Sequence, residues 1–412
     1  MPDSITFYCY DVTFTTFSKN KEIPAKLNKV KAKEVFELFK RTNEYNQVVQ
    51  SAFFVFDGKK IGWSTVKVEA CEGQVEMIEE KGKPPVYYNV SIKLTPRVSK
   101  INKETLNNRD YVNDMTPLDM FHVYKKTLTS PYTKRAVFDL HSKPISIGKG
   151  VCLHWGYSQS FRLSDGGFFN VMEPVTSPFY CSGPLLRFVK DFLGPQILDH
   201  SDDSQSCCIG EKSIHLLAHE LRGVKVSTTH LGYERDYVID GISKNCAAQE
   251  FFDWEKNGKT KRISVYEYFK EQYKIELKHP GLPCITKGKL MVPIEVCNIK
   301  PGQRYPYKLN AKQQSNATRE GAILPKERRE KLCDYSRKTE FIGDDYLRSL
   351  GVEVSSEMTK VKGRLLEAPS LVAKKNDNLT TIQAKDGQWD IKDVMPYKSV
   401  DLVYTCIVLF DE

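Results

Sequence analysis

Hydrophobic and polar positions change period along the chain, and each change marks an element. In ITFYCYDVTF, Tyr8, Tyr10, Val12 and Phe14 alternate with their neighbours, the period of a half-buried strand. In KAKEVFELFKRTNEY, Val35, Leu38 and Phe39, with Thr42, share one helical face. AFFVFDGKKIGWSTVKV reads as a hairpin turning at Asp57 and Gly58. PVYYNVSIKLTPRV is a further strand, and TPLDMFHVYKKTL is a helix opened by Thr116 and Pro117. Residues 1–135 therefore make a mixed α/β domain.

Residues 136–175 are glycine-rich and irregular, and read as a connector with short strands. At CSGPLLRFVKDFLG the signals sharpen. Ser182 can cap a helix, Pro184 sits in its first turn, and Leu185, Phe188, Val189 and Phe192 form an apolar stripe that Gly194 ends. A second domain starts near here, strand-rich through VKVSTTHLGYERDYVIDGIS. KLMVPIEVCNIKPGQRYPYKL is extended again, and LPKERREKLCDYSRK and GDDYLRSLGVEV read as two short helices. DLVYTCIVLFDE is a nearly continuous apolar run, the pattern of a strand buried on both faces. No internal repeat or low-complexity tract interrupts the chain.

The helix in YEYFKEQYKIELKHPGLPCI departs from simple amphipathicity. Tyr266, Phe269 and Tyr273 fall at helical spacing and can pack as a stripe. Tyr268 is out of phase with that stripe, so a continuous helix cannot bury both the Tyr268 and Tyr273 phenols on one face. Pro280 and Pro283 then impose an extended exit.

Composition adds little to the fold and more to the setting. The 412 residues are 40% hydrophobic and 27% charged, ordinary for a globular protein of several domains. No apolar run is long enough to span a membrane, and the N-terminus lacks the pattern of a secretory signal. Eleven scattered cysteines, Cys207 and Cys208 adjacent among them, favour reduced thiols in the cytosol or nucleus. On that reading the sequons at Asn316 and Asn378 are chance matches. The net charge of +9 is compatible with solubility alone or with a phosphate-bearing partner.

The chemical motifs are mostly negative. His215 and His219 share a helical face, but no third ligand accompanies them and the glutamate is misplaced for a metalloprotease helix. SIGKGV and SDGG read as turns and not as phosphate loops. No catalytic set, metal site or cofactor site is expected. The mixed-sign helix PKERREKLCDYSRK reads as a solvated face. His230, Arg235, Tyr237, Phe251, Tyr268 and Tyr273 fall within one short module. Such a set can stack on bases and grip phosphate, or form an aromatic-rich small core.

YEYFKEQYKIELKHPGLPCI followed by LMVPIEVCNIKPGQRY resembles the end of a PAZ domain running into the second linker of an Argonaute. GVEVSSEMTKVKGRLLEAPSL and GQWDIKDVMPY resemble that linker in the same order. GYSQSFRLSDGGFFNV resembles the first linker, and the start of the chain resembles the Argonaute N domain. The resemblance implies an α+β multidomain protein. A mixed α/β N domain (1–135) would be joined by linker 1 (136–175) to an OB-like β-barrel PAZ domain with an inserted α/β module (176–290). Linker 2 (291–401) and the first strand of a truncated MID domain (402–412) would follow, without the catalytic PIWI domain.

That family's PAZ domain holds the 3′ end of a single-stranded guide RNA. Carried over, His230, Arg235 and Tyr237 would line the pocket. Phe251, with Phe252 as the alternative, would pack on the terminal nucleotide. Tyr268 would bond the last phosphate, and Tyr273 stands where relatives carry His or Tyr. The implied function is small-RNA binding in gene silencing, not catalysis, in the cytoplasm or alternatively the nucleus. Target RNA and silencing-complex proteins would be partners, with no membrane. The competing readings are one half of an RNA-slicing endonuclease whose PIWI domain is elsewhere, and a scaffold for silencing cofactors.

Overall fold

The computed structural model describes residues 4–18, 21–50, 52–78, 84–102, 116–133, 136–164, 167–198, 209–228, 230–256, 258–338, 344–355 and 357–398. The apolar run 402–412 and the Cys207–Cys208 pair lie outside the described residues. The chain divides into two compact units after residue 356.

The first lobe is built on two long antiparallel strands, β1 (Ser4–Ser18) and β6 (Val86–Asn102). Next to β1 lie β4 (Ile61–Ser64) and then β3 (Phe54–Phe56); β5 (Ala70–Met77) flanks β6, and β2 (Lys21–Pro24) folds back on β1. The alternation in β1 is broken where the sequence pattern runs straight. The register shifts between Tyr8 and Tyr10, so Ile5, Phe7 and Cys9 are buried before the break and Tyr10 and Val12 after it. Between those pairs β1 has one residue, Cys9, and β6 has three, Thr95 to Arg97; the ladder is interrupted there, the inward face of β1 switches, and Tyr8 falls off the Tyr10–Val12 row.

Helices α1 (Lys29–Phe39), α2 (Asn43–Val49) and α3 (Thr116–Thr129) cover the sheet. Asn28 caps α1, accepting from the Val30 and Lys31 N–H groups, and Thr42 caps α2. Thr42 therefore starts α2, while α1 ends at Phe39 with Lys40 as its C-cap and turns Ala32, Lys33, Val35, Phe36 and Phe39 inward, with Leu38 only partly buried. The hairpin between β3 and β4 turns where expected. Asp57 Oδ1 accepts from the Lys59, Lys60 and Ile61 N–H groups and holds the loop closed.

The expected connector of short strands is instead a long hairpin. After β7 (Ala136–Phe138) and β8 (Ile145–Gly148), β9 (Val151–Ser164) and β10 (Gly167–Tyr180) pair along 14 residues each. β9 does alternate, Val151, Leu153, Trp155, Tyr157 and Phe161 on one face, but the glycines of this stretch and Pro174 and Pro178 in β10 mask the pattern. The SIGKG turn joins β8 to β9 with Lys149 at φ 53° and Gly150 at φ 72°. A two-residue hairpin loop needs two positive φ values in that place.

The second lobe is a small barrel of two antiparallel sheets over one core. One sheet runs β11 (Gly183–Pro184), β19 (Cys297–Ile299), β12 (Lys225–Thr228), β13 (Arg235–Val238). The other runs β14 (Gly241–Cys246), β17 (Pro283–Lys287), β18 (Leu290–Pro293). The chain crosses between sheets at Asp240 and again at the short turn Ile294–Val296. Helices α4 (Leu185–Leu193) and α5 (Glu211–Leu221) close the core through Leu185, Phe188, Val189, Leu217 and Leu221. Pro184, not Ser182, occupies the N-cap of α4, and Gly194 ends it at φ 109°. Inserted between β14 and β17 is a module of β15 (Phe251–Lys256), β16 (Lys259–Ser264) and α6 (Val265–Gln272).

Three helices follow. α7 (Ala311–Gly321) escaped the periodicity because it is almost wholly polar; its signal is the capping box of Asn310 and Gln313. α8 (Pro325–Lys338) lies against the long hairpin with Tyr335 buried on the Tyr157 ring, 5.2 Å between centroids, and Arg328 paired with Glu173. Tyr335→Ala is expected to cost about 3 kcal/mol at this contact and to raise amide exchange in α8 while β9 stays protected. α9 (Asp345–Ser349) returns to the first lobe, where Leu347, Leu350 and Val352 enter its core and Tyr346 packs edge-on to Phe53.

The second unit, taken by itself, is a sheet of β20 (Ser370–Lys375), β21 (Asn378–Gln383) and β22 (Met395–Pro396). Among the described residues no helix is long and apolar enough to cross a membrane.

Candidate nucleic-acid interface

β16 runs into α6 without a loop. Ser264 accepts from the Glu267 N–H, and the Glu267 carboxylate accepts from the Ser264 N–H. That box sets the phase of the helix. Val265 and Phe269 point into the core, and Tyr268, one residue before Phe269, is left half-buried at its edge.

The helix stops at Gln272, well before either proline. Tyr273 is its C-cap, with its N–H donating to the Phe269 carbonyl, and Lys274 takes φ 59°. The prolines of HPGLPCI are therefore not what ends it. Tyr273 keeps right-handed dihedrals (φ −101°, ψ −6°) and the helical bond to Phe269, and its ring lies beside Phe269 (5.2 Å) and Tyr268 (5.4 Å, nearly perpendicular). The two phenol oxygens lie 3.3 Å apart.

His230 completes the group from the barrel side. Its ring centroid is 4.9 Å from Tyr273 and 5.1 Å from Phe269. Its Nδ1 is buried and has no hydrogen-bond partner among the described residues. Burial, then the positive charge of Arg235, pushes the imidazole below its usual pKa, so it is neutral at neutral pH and keeps one N–H donor. Burial, then the Tyr268 hydroxyl, pushes the Tyr273 phenol up, so it too stays protonated and able to donate.

Arg235 and Tyr237 stand together on β13. Tyr237 is buried in the barrel wall, and the exposed Arg235 guanidinium lies 5.3 Å from its ring centroid. Phe251 is not part of the ring group. It is 49% exposed on the outer face of β15, with the Arg262 guanidinium 5.9 Å from its ring. Alternation along β15 turns Phe252 and Trp254 the other way, edge-on to Tyr268 at 5.1 and 5.3 Å. Trp254 was the residue that sequence reasoning missed; its signal was the period-two pair with Phe252.

His215 and His219 do not form a metal site. His215 is exposed beside Glu211, and the His219 ring packs at 4.8 Å on Tyr307, whose hydroxyl donates to the His219 carbonyl. Among the described residues no group of three or more His, Cys, Asp or Glu is placed to hold a metal ion.

The arrangement is a half-buried aromatic edge with several polar donors at one place. Two phenols and a neutral imidazole converge where the barrel meets its inserted module, and a guanidinium stands on the neighbouring strand.

Two family models match the chain: the N-terminal domain of argonaute over residues 1–143 and the PAZ domain over residues 197–318. The chain belongs to the Argonaute family. It is similar to the protein argonaute of Schizosaccharomyces pombe, 29% identical over 352 residues, which covers 81% of this chain and 41% of that protein. The chain thus spans less than half the length of this relative. The crystal structure of Kluyveromyces polysporus Argonaute with a guide RNA superposes with a TM-score of 0.55, at 17% identity, over 97% of this chain and 46% of that one. The Drosophila Argonaute 2 PAZ domain matches 30% of this chain at 26% identity, with a TM-score of 0.23. The first lobe is thus an Argonaute N domain, and the barrel with its inserted module is a PAZ domain.

Proposed function

We propose that the PAZ domain of this chain holds the 3′ end of a single-stranded small RNA, and that the protein acts in RNA-mediated gene silencing. The observation that carries this reading is the convergence of the Tyr268 and Tyr273 hydroxyls, 3.3 Å apart, beside a neutral His230. Phenol and imidazole donors directed at one point suit the oxygens of a terminal phosphodiester. Arg235, held against Tyr237, supplies the compensating charge. The guide RNA in the Kluyveromyces polysporus structure supports the class of partner. Target RNA would reach the protein by pairing with the guide. Silencing-complex proteins are further partners on this reading, and the cytoplasm, or alternatively the nucleus, is the site of action.

The N and PAZ regions act here as a binding module and not as the nuclease. Guide and target RNA incubated with this chain alone should stay intact.

The experiment is fluorescence anisotropy of a short single-stranded RNA against the chain. A free 3′ hydroxyl should bind well, and a bulky 3′ label should weaken binding several-fold. Equal affinity for the free and blocked ends would refute end recognition. The placement of Phe251 gives a second test. Phe252→Ala should cost more than Phe251→Ala, because one packed ring contributes ~1–3 kcal/mol to stacking and support. The opposite order would put the terminal nucleotide on the outer face of the β15–β16 hairpin, where Phe251 and Arg262 lie.

A further inference from the structure

We infer that the N domain carries a second ligand site, separate from the PAZ domain, and that it takes a single ribonucleotide. A cavity of about 480 Å³ opens between α1, α3 and the β3–β4 hairpin. Sites for small molecules run to ~300–1,000 Å³, so it has the size for a nucleotide and is far too large for an ion alone.

Its walls carry more positive than negative charge. Lys29, Lys33, Lys59 and Arg97 line it, against Asp57 and Asp119. Both carboxylates already have work. Asp57 Oδ1 accepts from three backbone N–H groups of its own loop, and Asp119 Oδ1 accepts from the Phe161 N–H. Lys33 is only 5% exposed, and its ammonium bonds an uncharged group, Thr127 Oγ1. Its Nζ lies 4.3 Å from the Tyr132 ring centroid and 5.0 Å from that of Tyr124, and Lys29 Nζ lies 4.7 Å from the same Tyr132 ring. Two ammonium groups thus share one aromatic ring. Gly58 permits this close build: a Cβ there would fall 2.7 Å from Lys29 Cγ, and its φ is +81°. A buried cation with no carboxylate bonded to it is costly unless an anion arrives.

The same walls hold unsatisfied polar atoms. Trp63 Nε1, Tyr132 OH and Gln159 Oε1 are buried without hydrogen-bond partners among the described residues. Trp63 and Gln159 are 1% and 3% exposed. Orphaned groups of this kind are uncommon in folded proteins and call for a partner. Trp63 Nε1 can only donate, and Gln159 Oε1 can only accept. The occupant must therefore offer an acceptor, a donor and an anionic group. Inorganic phosphate is too small to fill a cavity of about 480 Å³. A nucleotide meets all three needs: phosphate toward the lysine pair, a base or ribose N–H or O–H donor toward Gln159 Oε1, and a base ring nitrogen or oxygen acceptor toward Trp63 Nε1, between the aromatic walls.

The test is calorimetric titration of adenosine 5′-monophosphate, adenosine and inorganic phosphate into the full chain. That chain carries Phe252→Ala and Tyr268→Ala, so that the PAZ cleft does not contribute. The nucleotide should bind at one per chain, at least ~10-fold more tightly than adenosine or phosphate. Lys33→Met and Gln159→Leu should each weaken it at least ~10-fold, with cooperative unfolding retained. No binding of the nucleotide, or unchanged binding in both well-folded variants, would overturn the site. Displacement by a circular single-stranded RNA, which has no ends, would assign the nucleotide to an RNA strand; no displacement would assign it to a free nucleotide. The RNA-end reading is measured with an intact PAZ domain, so either can fail without the other.

Discussion

Replacing Tyr268 and Tyr273 together by alanine is expected to weaken binding of a free RNA 3′ end by at least ~30-fold. Each ring contributes ~1–3 kcal/mol where it contacts a nucleotide, and two such losses exceed ~2 kcal/mol. The chemistry can be separated from the packing. Tyr268→Phe with Tyr273→Phe keeps both rings but removes the paired hydroxyls. It should retain the fold and lose part of the affinity, and the loss should shrink when the terminal phosphodiester is replaced by an uncharged linkage. Phe269 is 2% exposed and carries the helix in the core, so neither double variant should unfold the module. Parent-like affinity in the alanine double variant, measured by anisotropy at fixed salt, would remove the physical basis of the proposed pocket. Salt must be fixed because phosphate contacts release counterions.

The second large effect concerns stability. Burial, then repulsion from Lys29, lowers the Lys33 pKa to about 7 from an ordinary 10.5. The folded state therefore binds fewer protons than the unfolded state between those values. By linkage, the wild-type chain gains stability as pH rises from about 7 toward 10.5, and carries the full cost of the buried charge below about 7. Each pKa unit is worth ~1.4 kcal/mol, and cation–π contact with two rings returns part of the cost, so a net penalty of ~2 kcal/mol is expected at neutral pH. Lys33→Met should raise the melting temperature of the N domain by several degrees at pH 6 and by less at pH 9. A gap that widens with pH would contradict the buried-charge account. A variant more stable and yet unable to bind nucleotide would show why the cost is kept.

Several features of the fold were legible because they are local. The Asp57–Gly58 turn, the stop at Gly194, the apolar stripe of α4 and the SIGKG turn depend on the backbone preferences of a few adjacent residues. The order of motifs likewise carried the Argonaute resemblance and its N and PAZ domains. Features that depend on breaks in period were read wrongly. The register break between β1 and β6 moved Tyr8 off the Tyr10 row, and the glycines and prolines of the β9–β10 hairpin concealed two long strands. α7 has no apolar stripe to find.

The candidate site shows the same division. Sequence placed His230, Arg235, Tyr237, Phe251, Tyr268 and Tyr273 in one module, and chose Phe251 for the terminal nucleotide with Phe252 as the alternative. It could not bring Tyr268 and Tyr273 together, because helical spacing puts them on different faces and only the packing of both rings around Phe269 shows that their hydroxyls meet. It could not turn Phe252 and Trp254 toward Tyr268, because the inward face of β15 is chosen by what packs against it.

By itself, then, the chain's sequence determined the kinds of element, most of their limits and the aromatic and basic groups available. Those follow from steric preference and hydrophobic period, which act over a few neighbouring residues. Tertiary structure alone decided which phenols meet and which ring of a Phe–Phe pair faces inward. It also decided that α9 joins the N-domain core and that Lys33 is buried without a carboxylate. Apart from the Tyr268–Tyr273 pair, five residues apart, each of these is set by segments far apart in the chain, whose mutual burial no local pattern records.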